Sequence, residues 1–141
     1  MAFTGYLIKF TARNGTVTEL PIKYMAFESY KITPNQRMDL DPTRDTTGLL
    51  HRNALQHTAT KVEFETPPLS NTQVEALMSI LRANWLNTLE RDVNMTYYDP
   101  ETNGYKSGHF YMPDVQFIMR NVDTVHNIIN YNPARFAFIE Y

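Results

Sequence analysis

The sequence has 141 residues, is 43% hydrophobic, and carries 13 Lys and Arg against 15 Asp and Glu, a formal net charge of −2. This length suits one domain with one core, so we expect a single domain over residues 1–141. The mild acidity disfavours a nucleic-acid binder, which needs an excess of basic side chains. The absence of cysteine excludes disulfides, thiolate zinc sites and thiol nucleophiles.

The chain shows no membrane or export signal. Its N-terminus lacks a basic region, and no apolar stretch approaches the roughly 18 residues of a membrane span. We therefore expect synthesis in the cytoplasm and no contact with a membrane.

The first predicted elements are strands. β-Branched and aromatic residues flank Asn14-Gly15, a dipeptide that favours a tight hairpin turn because both residues tolerate positive φ. We predict strands at about 4–13 and 16–22. Alternating side chains predict a third strand at about 23–33, with both faces partly covered.

A long polar arm follows, at about 34–53. It is rich in Pro, Asp, Thr and Gly, and a loop of this length is usually functional or disordered. Leu49-Leu50 is the predicted anchor, since two apolar residues on a polar arm need a pocket. From His51 to His57 the chain enters the next strand, where His and Arg side chains are expected to face a neighbouring subunit. The predicted inter-subunit residues of the arm are Arg37, Arg44, Leu49, Leu50, His51 and Arg52.

Alternation from His57 to Glu65 predicts a half-exposed strand, and one clear helix is predicted at about 70–84. Ser70 and Gln73 have the spacing of a capping box, and Leu69 can pack against Val74. The apolar positions recur every three or four residues, so one stripe packs on a sheet. These positions are Val74, Leu77, Met78, Leu81 and Trp85.

The remaining chain predicts further strands at about 92–98, 105–112 and 114–120 and a last strand in the C-terminal RFAFIEY. The Asp99–Gly104 loop joins the first two, and a polar connection ending in NYNP precedes the last. Seven or so strands with one helix predict an α+β, mainly β fold or a β-barrel-like domain, with a flanking helix.

No catalytic or metal-binding motif is recognisable. Asp99, Glu101, Asn103 and Gly104 resemble the start of a calcium loop, but Phe110 stands where the bidentate Glu belongs. The four His show no metal-ligand spacing, and there is no nucleophile elbow or phosphate-binding Gly-rich loop. We expect no enzyme, cofactor or metal.

Aromatic residues make up 13% of the chain. Tyr97-Tyr98 and Phe110-Tyr111 each place one ring on either face of a strand. Core packing explains one face, and Tyr on the other face is typical of a protein interface. This pattern predicts an assembly surface.

Three short patterns carry a resemblance to a known family. They are the Gly48–Arg52 stretch before a strand, the Pro68-Leu69-Ser70 helix start with Glu75, and the Tyr98-Asp99-Pro100 hairpin that ends at Gly104. In this order they resemble small tail proteins of tailed bacteriophages, in the tail-tube and distal-tail-protein superfamily. The resemblance covers most of residues 3–140 and aligns no particular basic residue of the arm.

The resemblance implies a tail-tube fold, which is a β-sandwich or split barrel with one flanking helix. It also implies a ring of six copies around a DNA channel and a long loop that reaches a neighbouring subunit. The expected function is a structural virion protein at the distal tail or baseplate. The expected partners are copies of itself, the tail tube, the tape measure and the baseplate hub, with DNA passing through without specific binding. A repeating tube subunit and a head–tail connector or tail-terminator ring remain alternatives. A binding module or small hydrolase is a further alternative. Substitution of His51, His57 and His109 would test it.

Overall fold

A computed structural model describes residues 3–37, 43–52, 56 and 58–141 of the chain. The single α-helix in these ranges is α1 (Asn71–Asn84), and a 3-10 helix spans Ile22–Tyr24. The strands are β1 (Ile8–Thr11), β2 (Val17–Glu19), β3 (Lys31–Gln36), β4 (Thr43–Arg44), β5 (Leu50–His51), β6 (Ala59–Glu65), β7 (Leu69–Ser70), β8 (Asp92–Asp99), β9 (Gly104–Tyr111), β10 (Met119–Asp123), β11 (Ile128–Tyr131) and β12 (Arg135–Glu140).

The strands form three antiparallel sheets. The main sheet has seven strands in the order β2-β1-β8-β9-β12-β6-β3. A second sheet has the order β10-β11-β7, and β4 pairs with β5 alone. The prediction of a mainly β fold with one helix is therefore confirmed.

The main sheet is strongly curled. Phe10 of β1 and Phe138 of β12 have ring centroids 5.6 Å apart although β8 and β9 lie between their strands. Three strand spacings in a flat sheet would separate them by roughly 14 Å. The Tyr97 hydroxyl of β8 likewise reaches Thr60 Oγ1 of β6 at 3.4 Å. The sheet thus wraps around its own apolar face as an open barrel.

The helix begins and packs as the sequence predicts. The Ser70 amide donates to Gln73 Oε1 at 2.9 Å, so Gln73 satisfies an amide at the helix start. Leu77 and Leu81 are fully buried and join the apolar interior of the main sheet. Val74, Met78 and Trp85 pack at the margin of that core. The predicted apolar stripe is confirmed.

The core is built from alternating positions of the central strands. In β6, Thr60, Val62 and Phe64 are buried while their neighbours are partly or fully exposed, as the alternation predicts. The largest fully buried side chains are Phe10, Phe64, Phe110, Phe136, Phe138, Ile8, Leu20, Leu77, Leu81, Met95, Val62 and Val93.

The predicted strand at 23–33 is wrong over most of its length. Residues 23–30 belong to no strand, and Ile22–Tyr24 form the 3-10 helix instead. The 3-10 helix turns the chain there, and the Ser29 hydroxyl donates to Ala26 O at 2.7 Å. Extended structure begins only at Lys31.

Two further predictions need correction. The arm predicted at 34–53 contains regular structure, because β3 extends to Gln36 and β4 and β5 form a hairpin. Residues 38–42 and 53 of the arm, and His57, lie outside the described residues. The predicted strand at 114–120 is displaced to Met119–Asp123, and β11 occupies part of the predicted polar connection. The side chains of β10 are largely exposed, so this strand lacks the alternation of buried and exposed side chains on which the strand predictions rest.

Candidate assembly surfaces

A single aspartate organises the tip of the arm hairpin, which is residues 43–52. Asp45 Oδ1 accepts from the Thr47 amide at 2.9 Å, the Thr47 hydroxyl at 2.6 Å and the Leu49 amide at 3.0 Å. Its Oδ2 contacts His51 Nε2 at 3.0 Å. Gly48 has a φ of 87°, the left-handed conformation that closes the turn. Asp45 and Gly48 therefore give the arm hairpin a tight turn that several hydrogen bonds hold in place.

These hydrogen bonds change the titration of the carboxyl group. The hydrogen bond from the Thr47 hydroxyl, followed by that from His51, lowers the pKa of Asp45 to about 2. Hydrogen bonds of this kind favour the charged form of a carboxylate. The structure thus assigns His51 to the turn of the arm.

The structure places the predicted arm residues on the surface. Leu49 is 63% and Leu50 40% exposed, and both lie beside the turn. Arg44 donates to Gly48 O at 2.9 Å, and Arg37 donates to Asn35 O at 2.8 Å. Arg52 is also exposed. The arm hairpin brings Arg44, Leu49, Leu50 and His51 together, whereas Arg37 lies directly after the end of β3.

A second hairpin, formed by β10 and β11 and here called the apolar hairpin (residues 117–131), was missed by sequence reasoning. Its turn is built like that of the arm. Asp123 Oδ1 accepts from the Val125 amide at 3.0 Å and the His126 amide at 3.2 Å, and its Oδ2 contacts His126 Nδ1 at 2.8 Å. The bond from the His126 side chain lowers the pKa of Asp123. The Asp-x-x-His-Asn sequence was the available signal, because Asn127 takes a positive φ of 55°.

Apolar side chains cover much of the apolar hairpin yet remain exposed. Val125 at the turn is 82% exposed. Together with the arm leucines, this hairpin carries eight of the fourteen large exposed apolar side chains in the described ranges. Exposed apolar groups concentrated in this way mark interaction surfaces. The six on the hairpin are Phe117, Ile118, Met119, Val122, Val125 and Ile128.

The sheet edges differ in their protection. β3 contains Pro34 and a register shift between Thr33 and Gln36, and β2 has only three residues. Both devices protect an edge from pairing with other strands. β10 contains no proline and has a single register irregularity near Arg120, so its outer edge is less protected than those of β2 and β3.

The outer face of the main sheet combines polar and aromatic groups. An open cleft of about 340 Å³ is lined by Thr11, Asn94, Thr96, Ser107 and His109, among others. The Thr96 and Ser107 hydroxyls bond each other at 2.8 Å. The outward rings include Tyr98, which meets Tyr105 edge to face at 5.7 Å, and Tyr111, which lies 5.3 Å from Tyr141. Rings on both faces of β8 and β9 are as predicted.

The histidine of this face is held by a buried aspartate. His109 Nε2 contacts Asp92 Oδ2 at 2.7 Å, and the His109 ring stacks on Tyr141 with centroids 4.3 Å apart. The bond from His109 lowers the pKa of Asp92, whose Oδ1 accepts from the Asn87 amide. The His109–Asp92 contact joins β9 to the first residue of β8. Each of the three described histidines thus contacts an aspartate, either in the same hairpin turn or on the paired strand.

The structure also bears on ions and membranes. Across the described ranges, no three His, Cys, Asp or Glu side chains lie close enough together to hold a metal ion. Asp99, in the loop that resembles a calcium site, is buried and binds Lys106 Nζ at 3.1 Å. No helix in the described part of the chain is long and apolar enough to cross a membrane.

The fold and these surfaces define a mainly β domain with one flanking helix and two surface hairpins, the arm hairpin and the apolar hairpin. The chain belongs to a family of unknown function, DUF6711, whose model matches residues 1–141. No curated protein and no solved structure matches the chain.

Proposed function

We propose that this protein is a structural subunit of the tail of a tailed bacteriophage and assembles with copies of itself into a ring. The observation that carries the proposal is the concentration of exposed apolar side chains on two hairpins that stand outside the main sheet. Water-exposed apolar groups of this kind are stabilised when a partner covers them. The proposed partners are copies of the chain and other tail proteins.

The ring geometry is supported by the difference between the two hairpins. They belong to different sheets and have different sequences, so a contact between them would join unlike surfaces of two copies. Contacts between unlike surfaces propagate from copy to copy and close into a ring when the rotation permits. The proposal is a hexamer, as the resemblance to tail proteins implies.

The net charge of the chain supports a role in lining a DNA channel more than a role in binding DNA. The net charge is −2, so the chain lacks the basic excess that grips phosphate. A conduit must let DNA slide, which weak attraction permits. We place the ring at the distal tail or baseplate, with a repeating tube and a head–tail connector or terminator as alternatives.

Imaging of the purified protein by negative stain, together with its copy number in virions, tests the proposal. We expect hexameric rings and one or two rings per virion. Many rings per virion would indicate a tube, and labelling at the head end would indicate a connector or terminator. A monomer that is absent from tail particles would contradict the proposal.

A further inference from the structure

We infer that the arm hairpin of one copy docks in a cleft of the apolar hairpin of the next copy, with Leu49 and Leu50 as the inserted side chains. This inference rests on the proposed ring and names the two surfaces that meet. The cleft is lined by Val122, Asp123, Thr124, Asn127, Ile128 and Ile129.

The cleft has a size suited to side chains. Its volume is about 240 Å³, and it is open to solvent. Pockets for drug-sized ligands measure roughly 300–1,000 Å³, so this cleft is smaller than those and suits a few aliphatic groups. Leu49 and Leu50 are the exposed aliphatic pair of the arm, and Val122 and Ile128 present aliphatic groups in return.

Charge selects a second copy as the occupant. Residues 43–52 contain Arg44 and Arg52 against Asp45, a formal charge of +1 with neutral His. The lining of the cleft contains Asp123 and no basic residue, a formal charge of −1. An apolar centre with opposite charges around it favours the arm over a second apolar hairpin, because like segments would bring like charges together.

Within the part of the chain that the structure describes, both surfaces stay largely exposed. The arm hairpin shares no strand with the second sheet, and Leu49 and Val122 remain 63% and 56% exposed. The protrusion and the cleft are different parts of one molecule, so each copy offers one of each. Such a head-to-tail contact is the kind that closes a ring.

Site-directed crosslinking tests the pairing, because the natural chain has no cysteine to interfere. Thr46→Cys places a thiol at the arm turn and Thr124→Cys places one in the lining of the cleft, and both substitutions leave the apolar side chains intact. A short bismaleimide should link the double variant into multimers and link a mixture of the two single variants into dimers. Each single variant alone should give no dimers, and Thr46→Cys with Leu89→Cys is the control pair.

The outcomes separate this inference from the proposed function. Oligomers in sedimentation without a Thr46–Thr124 crosslink would overturn the docking and leave the ring standing. Dimers from one single variant would show a symmetric contact and overturn the docking as well. A strictly monomeric protein would overturn both.

A second measurement does not depend on a crosslinker. Val122→Asp should raise the concentration needed for assembly roughly tenfold or more, because it buries a charge in the cleft. Phe27→Asp, at a 93% exposed position elsewhere, is the matched control and should leave assembly unchanged. Equal effects of the two variants would contradict the docking.

Discussion

The main sheet and the two hairpins use apolar side chains in opposite ways. In the main sheet, alternating side chains such as Val62 and Phe64 turn inward and are fully buried. In the hairpins, Leu49, Val122 and Val125 remain exposed, and an aspartate in each turn fixes the backbone. The sheet is thus stabilised by its own burial, whereas turn hydrogen bonds shape the hairpins and leave their apolar groups for partners.

The largest expected effect lies in the main sheet. Phe138→Ala should lower the free energy of unfolding by about 3–5 kcal/mol, because it removes a buried ring and leaves a cavity. Phe27→Ala is the matched control on the surface and should change it by less than about 0.5 kcal/mol. Denaturant unfolding monitored by circular dichroism measures both, and similar losses would contradict the division between sheet and surface.

Gly108→Ala should destabilise the sheet by about 1–3 kcal/mol. A β-carbon at this position would lie 2.6 Å from Glu140 Oε2 and 2.9 Å from a carbon of the buried Phe110 ring. The Glu140 carboxylate is itself held by the Thr60 amide at 2.9 Å. The cost should shrink in a Glu140→Ala background, and an unchanged midpoint of thermal unfolding in the single variant would show that the strand relaxes freely.

A smaller loss of unfolding free energy is expected at Ser70, in the strand β7 that pairs with the apolar hairpin. Ser70 is the N-cap of α1 and also pairs with Asn130 of β11. Ser70→Ala should cost about 0.5–2 kcal/mol of unfolding free energy through the lost cap. Ser79→Ala, on the exposed side of the same helix, should cost less than about 0.5 kcal/mol, and calorimetry that ranked the two in reverse would contradict this role of Ser70.

The smallest effect concerns the pKa of Asp45 in the arm hairpin. Because this pKa is lowered to about 2, the ionised turn contributes stability above the ordinary value of 3.8 and loses it as the pH falls toward 2. Thr47→Val removes the hydroxyl bond and should raise the midpoint of a carboxyl NMR titration, whereas Thr46→Val should not. A wild-type midpoint at the ordinary value would contradict the turn geometry.

The sequence predicted the elements that bury one face. The alternation in β6, the stripe of α1 and the hairpin at Asn14-Gly15 all appear in the structure. Side-chain periodicity reports burial, so it was informative wherever one face is covered. The β8–β9 hairpin with its loop after Asp99 was also located to within a residue or two.

The elements that sequence reasoning missed are those without such a pattern. β10 and β11 expose residues on both faces, and the 3-10 helix spans only three residues, so neither shows a strand or helix period. The His contacts were also beyond prediction, because Asp92 and His109 meet only when β8 and β9 pair. The described arm residues lie on the surface, and their role between subunits stays a prediction.

Sedimentation velocity of the wild type beside a Leu49→Asp, Leu50→Asp double variant tests most directly whether the hairpins are assembly surfaces. We predict a discrete hexamer for the wild type, a folded monomer for the double variant, and a hexamer for the Phe27→Asp control. A wild type that remains monomeric at all concentrations, or a double variant that assembles as well as the wild type, would contradict this role of the arm.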